Sequence, residues 1–209
     1  MLPQQFNPIV IDDFLPPEMA DNVYKLFGNP AMQWDFAKGE LDTYGIERHP
    51  TDELFYIEEP HANHVQMRHQ FVSDGEIVSD NFKYVECLID NYRRSFNLQD
   101  VFIERMKGNL LFNVEGPKLS PPHIDGWFSE DTNPNGKVTL LYYVNNSDGD
   151  TIIYNERVTE PNQKIGKLTV CERVSPKKGR AVIFNSNQLH SACCPTNKRY
   201  RMVLNTVFG

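Results

Sequence analysis

Three residues with metal-binding side chains stand out in the second half of this chain. His123 and Asp125 lie in Ser120-Pro-Pro-His-Ile-Asp125, and His190 follows 67 residues after His123. In extended backbone the side chains alternate, so His123 and Asp125 project to the same side about two residue rises apart, close enough to share one metal ion. Two neutral imidazoles and one carboxylate form the facial set that leaves positions open on a non-haem Fe(II) centre. Zinc accepts the same three ligands plus water, so a zinc-dependent hydrolase is an alternative, as is a jelly-roll module that holds a metal without turnover. A His-x-Asp pair by itself is also what a turn or a solvated histidine produces.

Downstream of His190 come Arg199, Arg201 and the apolar run Met202-Val-Leu-Asn-Thr-Val-Phe208. An arginine there can grip a carboxylate bidentately inside a pocket, or it can be a solvated cation at a strand edge. The net charge of −7 is unevenly spread: residues 164–201 hold nine Lys/Arg against the single acid Glu172, leaving −15 on the remainder. An acidic whole argues against broad nucleic-acid binding. The basic third either lines a pocket for a small anion or pairs with acids elsewhere in the fold.

With these residues in place, the chain resembles the Fe(II)/2-oxoglutarate-dependent dioxygenases, in particular the prolyl-4-hydroxylase-like branch with phage and bacterial members. Asn135-Gly-Lys-Val-Thr-Leu-Leu-Tyr-Tyr143-Val-Asn145 is similar to that branch's strand after His-x-Asp. Gly149-Asp-Thr-Ile-Ile-Tyr154 resembles its Gly-Gly-x-Leu strand, with Asp150 in place of the second glycine. Ser175-Pro-Lys-Lys-Gly-Arg-Ala-Val-Ile-Phe184 resembles the segment before the distal histidine, and Ile9–Pro16 an N-terminal strand and turn. The likeness covers Phe102–Phe208 well and the first hundred residues thinly.

The resemblance implies a mainly β fold with flanking helices, a double-stranded β-helix (jelly roll, cupin-like). It implies Fe(II) held by His123, Asp125 and His190, with 2-oxoglutarate and dioxygen as cosubstrates and ascorbate as an auxiliary reductant. The far carboxylate of 2-oxoglutarate falls to Arg201, with Arg199 as the alternative, and to Tyr143. Asn113, ten residues before His123, is expected near the keto-acid end; otherwise it opens a polar turn, Asn113-Val-Glu-Gly-Pro117. The implied reaction hydroxylates an unactivated C–H bond of an unidentified substrate, releasing succinate and carbon dioxide.

The elements that must position these groups follow from pattern. With 209 residues, 40% of them hydrophobic, including 13 Phe, 9 Tyr and 2 Trp, the chain has material for one packed domain over 1–209, residues 1–100 covering a catalytic roll at 101–209. No apolar run approaches the ~18 residues of a membrane span, so a soluble, cytoplasmic protein is expected. Cys87, Cys171, Cys193 and Cys194 form no CxxC and are expected as reduced thiols.

A strand over Pro8–Leu15 leads into a helix that opens at Pro16-Pro17-Glu18 and runs to about Phe27. Residues 29–71 suggest long loops with short strands. Ser79 or Asp80 is positioned to cap a helix from Asn81 to about Ser95, where Phe82, Val85, Leu88, Ile89 and Tyr92 recur at three and four. Beyond Asn97, strands are expected at Phe102–Met106, Asn109–Val114, Val138–Val144, Thr151–Tyr154, Leu168–Arg173, Ala181–Phe184 and Arg201–Phe208, with His190 ending the run that starts at Gly179. Asp148-Gly149-Asp150 suits a hairpin turn better than a calcium loop. His49, His61, His64 and His69 are expected at the surface or touching substrate. Trp127 and Phe128 either form part of a lid over the metal or pack inward.

Overall fold

Alternation along extended backbone divides the apolar residues of this chain into two sets. The computed structural model, which describes residues 5–36, 55–56, 66–113, 118–126 and 135–209, puts each set on its own side of a sheet. In chain order the elements are β1 (Ile9–Ile11), α1 (Pro17–Phe27), β2 (Asp35–Phe36), β3 (Phe55–Tyr56), β4 (Gln66–Ser73), β5 (Glu76–Ile77), a 3-10 turn (Asp80–Tyr84), α2 (Cys87–Ser95), β6 (Ile103–Phe112) and β7 (Lys118–Leu119). They continue with β8 (Val138–Tyr143), β9 (Thr151–Arg157), β10 (Val170–Val174), β11 (Ala181–Asn185), β12 (Gln188–Ala192) and β13 (Tyr200–Phe208).

The large sheet runs β1-β11-β8-β13-β6-β4-β2, with β5 paired to β4, and every pairing in it is antiparallel. A smaller sheet, β10-β9-β12, is extended by bridges from Leu119 to Cys193 and from His123 to His190. Together they form a double-stranded β-helix.

One side of the large sheet carries Leu140, Tyr142, Ala181, Ile183, Met202, Leu204 and Phe208, buried against Val23, Leu26 and Phe27 of α1 and Leu88, Ile89 and Tyr92 of α2. Stacking of Tyr92 on Phe208, centroids 4.3 Å apart, fixes α2. The other side carries Leu141, Tyr143, Val182, Phe184 and Val203, which meet Ile153 and Val174 of the small sheet in the roll interior. Proline at its first position starts α1, and Glu18 and Lys25 complement its dipole at the two ends.

The structure departs from the sequence expectations in four places. The helix expected over 81–95 is divided: Ser79 does cap it, accepting from the Asn81 N–H at 3.1 Å, but the first turns are 3-10. A three-residue repeat aligns Phe82 and Val85, both buried, before α2 takes over. The two strands expected at 102–106 and 109–114 are one continuous strand, β6. Gly108 is no turn there; its missing side chain admits the Phe27 ring, which would lie 3.0 Å from a Cβ. The run from Gly179 to His190 turns at Ser186-Asn187 and passes from β11 of the large sheet to β12 of the small one, so His190 sits within β12. The loop-rich reading of 29–71 missed β4, eight residues long.

Among the described residues, pairing accounts for part of the charge imbalance. Asp12 meets Lys177 at 3.0 Å and Arg180 at 2.6 Å, and Asp21 meets Lys178. Hydrogen bonds from Arg180 and Lys177 hold the Asp12 carboxyl down at about 2. Of the cations in the basic third that form no ion pair among the described residues, Arg201 is the one that is buried.

Candidate active site

His123 and His190 face each other as a hydrogen-bonded antiparallel pair. The His123 N–H donates to the His190 carbonyl at 3.0 Å and the reverse bond is 2.9 Å, which brings the ring centroids to 4.4 Å. Asp125 leaves that line at a bend, its N–H donating to the Ser186 carbonyl at 3.0 Å. The donor atoms of His123, Asp125 and His190 all lie within 4.8 Å of one another.

The chemistry of this donor set suits a metal. Nδ1 of His123 donates to the Pro121 carbonyl at 3.0 Å and Nδ1 of His190 to the Gln188 carbonyl at 3.1 Å. Each bond fixes the tautomer and leaves the Nε2 lone pair for a ligand. Arg105 Nη2 donates to Asp125 Oδ1 at 2.8 Å and Asn205 Nδ2 to Oδ2 at 2.9 Å, so the carboxylate is oriented from two strands. Burial pushes the Asp125 carboxyl up, but His190, Arg105 and Lys107 outweigh it and hold it well below the usual range. Burial, then the neighbouring His190, lowers His123 to about 3; burial lowers His190 too. All three groups are thus in the state a divalent metal needs.

These shifts carry a prediction for the metal-free protein. Both histidines have a lower pKa folded than unfolded, so the unfolded chain binds more protons below about 6.5 and stability falls as the pH drops toward 3. His123 costs up to about 1.4 kcal/mol per pH unit, so urea unfolding in EDTA should show a loss of at least about 1.4 kcal/mol between pH 7.5 and pH 5.5, with His190 adding in the same direction. Lys107, lowered to about 7 by Arg105 and then burial, adds about 0.8 kcal/mol to the loss in the same direction, because its folded pKa lies within that window. A flat profile across that window would mean that the histidines are not buried as described.

A second polar cluster occupies the roll interior. Arg201 is 1% exposed; its Nη2 donates to Thr151 Oγ1 at 2.7 Å and its guanidinium lies 5.5 Å from the Tyr143 ring centre. The Tyr143 hydroxyl donates to the same Thr151 Oγ1 at 2.7 Å. Arg201 Nε is buried without a hydrogen-bond partner, and among the described residues no carboxylate forms an ion pair with this guanidinium. A buried cation lacking a counter-charge, with a spare donor, fits an incoming carboxylate.

The two other residues considered for the cosubstrate lie elsewhere. Arg199 precedes β13, is exposed, and lines a surface hollow of about 350 Å³ with Tyr24, Asn145 and Lys178. Asn113 is exposed, and its side-chain amide donates to the carbonyls of Thr196 and Lys198, tying the end of β6 to the bend before β13 and away from the triad. His69 is structural: its ring nitrogens bond the Gln33 carbonyl at 2.7 Å and Ser79 Oγ at 2.8 Å. Asp148 accepts from the backbone N–H groups of Thr196, Asn197 and Lys198, clamping the turn before β13. Trp127, Phe128, His49, His61 and His64 lie outside the described residues.

Sequence reasoning missed Arg105, Asn205 and Thr151. The signal was available: once Arg201 and Val203 are inward on β13, Asn205 is inward too, and a polar residue at an inward position needs a partner.

Comparison with known proteins agrees with this geometry. Residues 111–209 match the family model of the 2OG-Fe(II) oxygenase superfamily. A sequence search of curated proteins finds no match. Among solved structures the chain is similar to a 2OG-Fe(II) oxygenase-family oxidoreductase from Burkholderia pseudomallei, at 9% identity over 97% of this chain and 85% of that one, TM-score 0.64. It is similar to a prolyl-4-hydroxylase from Pseudomonas putida, at 15% identity over 97% and 91%, TM-score 0.51. It is also similar to SnoN, a non-haem α-ketoglutarate-dependent epimerase of nogalamycin biosynthesis, at 12% identity over 99% and 78%, TM-score 0.58. At such identities the structures speak for the fold, while the matched stretch contains His123, Asp125, His190, Tyr143 and Arg201. Residues 111–209, the stretch that carries the triad, Tyr143 and Arg201, are thus similar to the 2OG-Fe(II) oxygenase superfamily, whose members are oxidoreductases.

Proposed function

We propose that this protein is an Fe(II)- and 2-oxoglutarate-dependent dioxygenase that hydroxylates an unactivated C–H bond, on a prolyl or other protein residue, with release of succinate and carbon dioxide. The observation that carries the reading is the buried Arg201, with its unpartnered Nε and no counter-anion among the described residues, in the same roll interior as the triad. A zinc hydrolase or a silent metal-binding module would have no use for that cation. The name of the Pseudomonas putida neighbour supports the prolyl class.

On this reading His123, Asp125 and His190 hold the metal, and Arg201, Tyr143 and Thr151 receive the far carboxylate of 2-oxoglutarate. Bound together, Fe(II) and 2-oxoglutarate supply the oxidation, with dioxygen consumed and the cosubstrate decarboxylated to succinate. The chain supplies placement. Arg105 and Asn205 fix the Asp125 carboxylate, the two backbone carbonyls fix the imidazoles, and Leu141, Phe184 and Val203 keep water from the ground around Arg201.

Anaerobic addition of Fe(II) and then 2-oxoglutarate should produce a visible charge-transfer band that is absent in His123→Ala. In air, with ascorbate present, the wild type should convert 2-oxoglutarate to succinate. A colourless, metal-saturated wild type would overturn the reading; a band without succinate would leave a binding module.

A further inference from the structure

We infer that the substrate of this site carries a compact anionic group, a carboxylate or a phosphate, which Lys107 and Arg68 receive beside the triad. This rests on the dioxygenase reading for what becomes of the substrate, though the anion site itself stands on geometry alone. Along β6, Met106 and Leu110 pack toward the helices and Gly108 lies under the Phe27 ring, so Arg105, Lys107 and Asn109 face the roll interior. In register, Lys107 stands between Asn205 of β13 and Gln70 of β4, and Asn109 between Val203 and Arg68. Since residues paired across strands share a face, these side chains form one wall that begins at Asn205, the residue bonded to Asp125, and runs outward.

The charges on this wall do not cancel. Arg105 is met by Asp125 at 2.8 Å, and that carboxylate is shared with Asn205 and His190. Lys107, half-buried, and Arg68, exposed at the outer end of the wall, form no ion pair among the described residues; Asp35, opposite Arg68 on β2, is also exposed and forms none with it. Between the two cations, Asn109 is 9% exposed and its Oδ1 is buried without a partner. Uncompensated like charges flanking an unsatisfied polar atom favour an anionic, hydrogen-bonding occupant over an apolar one. The wall is also distinct from the cosubstrate's anchor. Lys107 pairs with Asn205, four residues along β13 from Arg201, or roughly 13 Å. Lys107 being one strand from the residue that orients Asp125, the oxidised carbon lies only a few bonds from the anionic group.

The test is calorimetric titration of the anaerobic Fe(II)·2-oxoglutarate protein, and of the metal-free protein, with the N-methylamides of N-acetylaspartate, N-acetylphosphoserine and N-acetylasparagine, the last of which is neutral. At least one anionic probe should bind ten-fold or more tighter than the neutral one, weakening with added NaCl; which of the two binds better decides between carboxylate and phosphate. Lys107→Met and Arg68→Gln should each weaken that probe about ten-fold, Lys107→Arg should restore it, and 2-oxoglutarate affinity read from the visible band should shift less than two-fold. The inference fails if no anionic probe is preferred, if both variants bind it as the wild type does, or if they lose 2-oxoglutarate affinity in parallel, which would assign the wall to the cosubstrate. Probe binding that depends on Lys107 in a protein that develops no band would sink the dioxygenase reading and leave the anion site standing.

Discussion

Arg201→Met is expected to raise the KM for 2-oxoglutarate by about 10²- to 10³-fold while leaving the metal-free protein as stable as the wild type, or more so. The first effect follows from the loss of charge-assisted hydrogen bonds, each about 1.5–3 kcal/mol, where about 1.4 kcal/mol is ten-fold. The second follows from what the guanidinium lacks. It is 1% exposed, with no carboxylate beside it among the described residues and an unpartnered Nε, so without cosubstrate it is a desolvated charge held at a cost. An apolar side chain of similar volume relieves that cost, which in comparable replacements is neutral or stabilising by about 1–4 kcal/mol. Thr151 Oγ1 keeps its bond from Tyr143, so nothing new is orphaned. Arg199→Ala, at an exposed position, should shift KM less than two-fold. Steady-state succinate assays and thermal melts in EDTA check both halves. A variant that loses several kcal/mol of stability would show Arg201 to be a structural cation, and a sensitive Arg199 would move the anchor to the surface hollow.

That opposition between stability and binding explains why the site was legible in sequence. Metal ligands and a carboxylate anchor are residue types that an apolar roll interior would otherwise reject, so their spacing along strands, His123 with Asp125 and Arg201 before an apolar run, stands out against the background. Tyr143 was legible only through the family resemblance of its strand, since Tyr142 beside it is equally buried; in the fold its hydroxyl donates to Thr151. The residues that orient the ligands were hidden by comparison. Asn205 and Arg105 sit in segments that satisfy strand patterning without them, and their partner Asp125 is distant in sequence, so the contact exists only once β6 and β13 are in register.

The elements follow the same division. α1 was readable from its proline start and its apolar spacing. The 3-10 start before α2 was not, because spacings of three satisfy both helix types over one turn. Lys107-Gly108 looked like a break between two strands, and only the Phe27 ring arriving from α1 makes the glycine a packing residue. β4 was lost because one of its faces is polar, carrying Gln66, Arg68 and Gln70 toward the site instead of an apolar set into a core. The feature that concealed the strand, a polar inward face, is the one that gives the substrate wall its character.

The two substitutions at Asp125 should separate folding from metal binding. Asp125→Ala takes from Arg105 the carboxylate 2.8 Å away and from Asn205 the acceptor 2.9 Å away. Removing one partner of a buried ion pair costs about 3–5 kcal/mol, and because the Arg105 side chain is 16% exposed the low end, about 3 kcal/mol, is expected here. Asp125→Asn keeps the shape and one oxygen for Arg105, so its cost should be smaller, about 1–2 kcal/mol, that of a hydrogen bond to a charged group partly retained. Metal binding should respond in a different order. Either change removes the anionic donor, and the two neutral imidazoles that remain bind a hard divalent ion far more weakly. In the wild type, metal at a hundred times its Kd adds about 2.7 kcal/mol, which for a chain of this size is a rise in Tm of about 5–10 °C. Asp125→Asn should lose nearly all of that rise and lower the metal-free Tm by about 2–8 °C, while Asp125→Ala should lose the rise and lower the metal-free Tm further, by about 6–12 °C. Melts with and without Fe(II) under anaerobic conditions distinguish the two. A full metal-induced rise in Asp125→Asn would remove Asp125 from the ligand set and leave it as the counter-ion of Arg105.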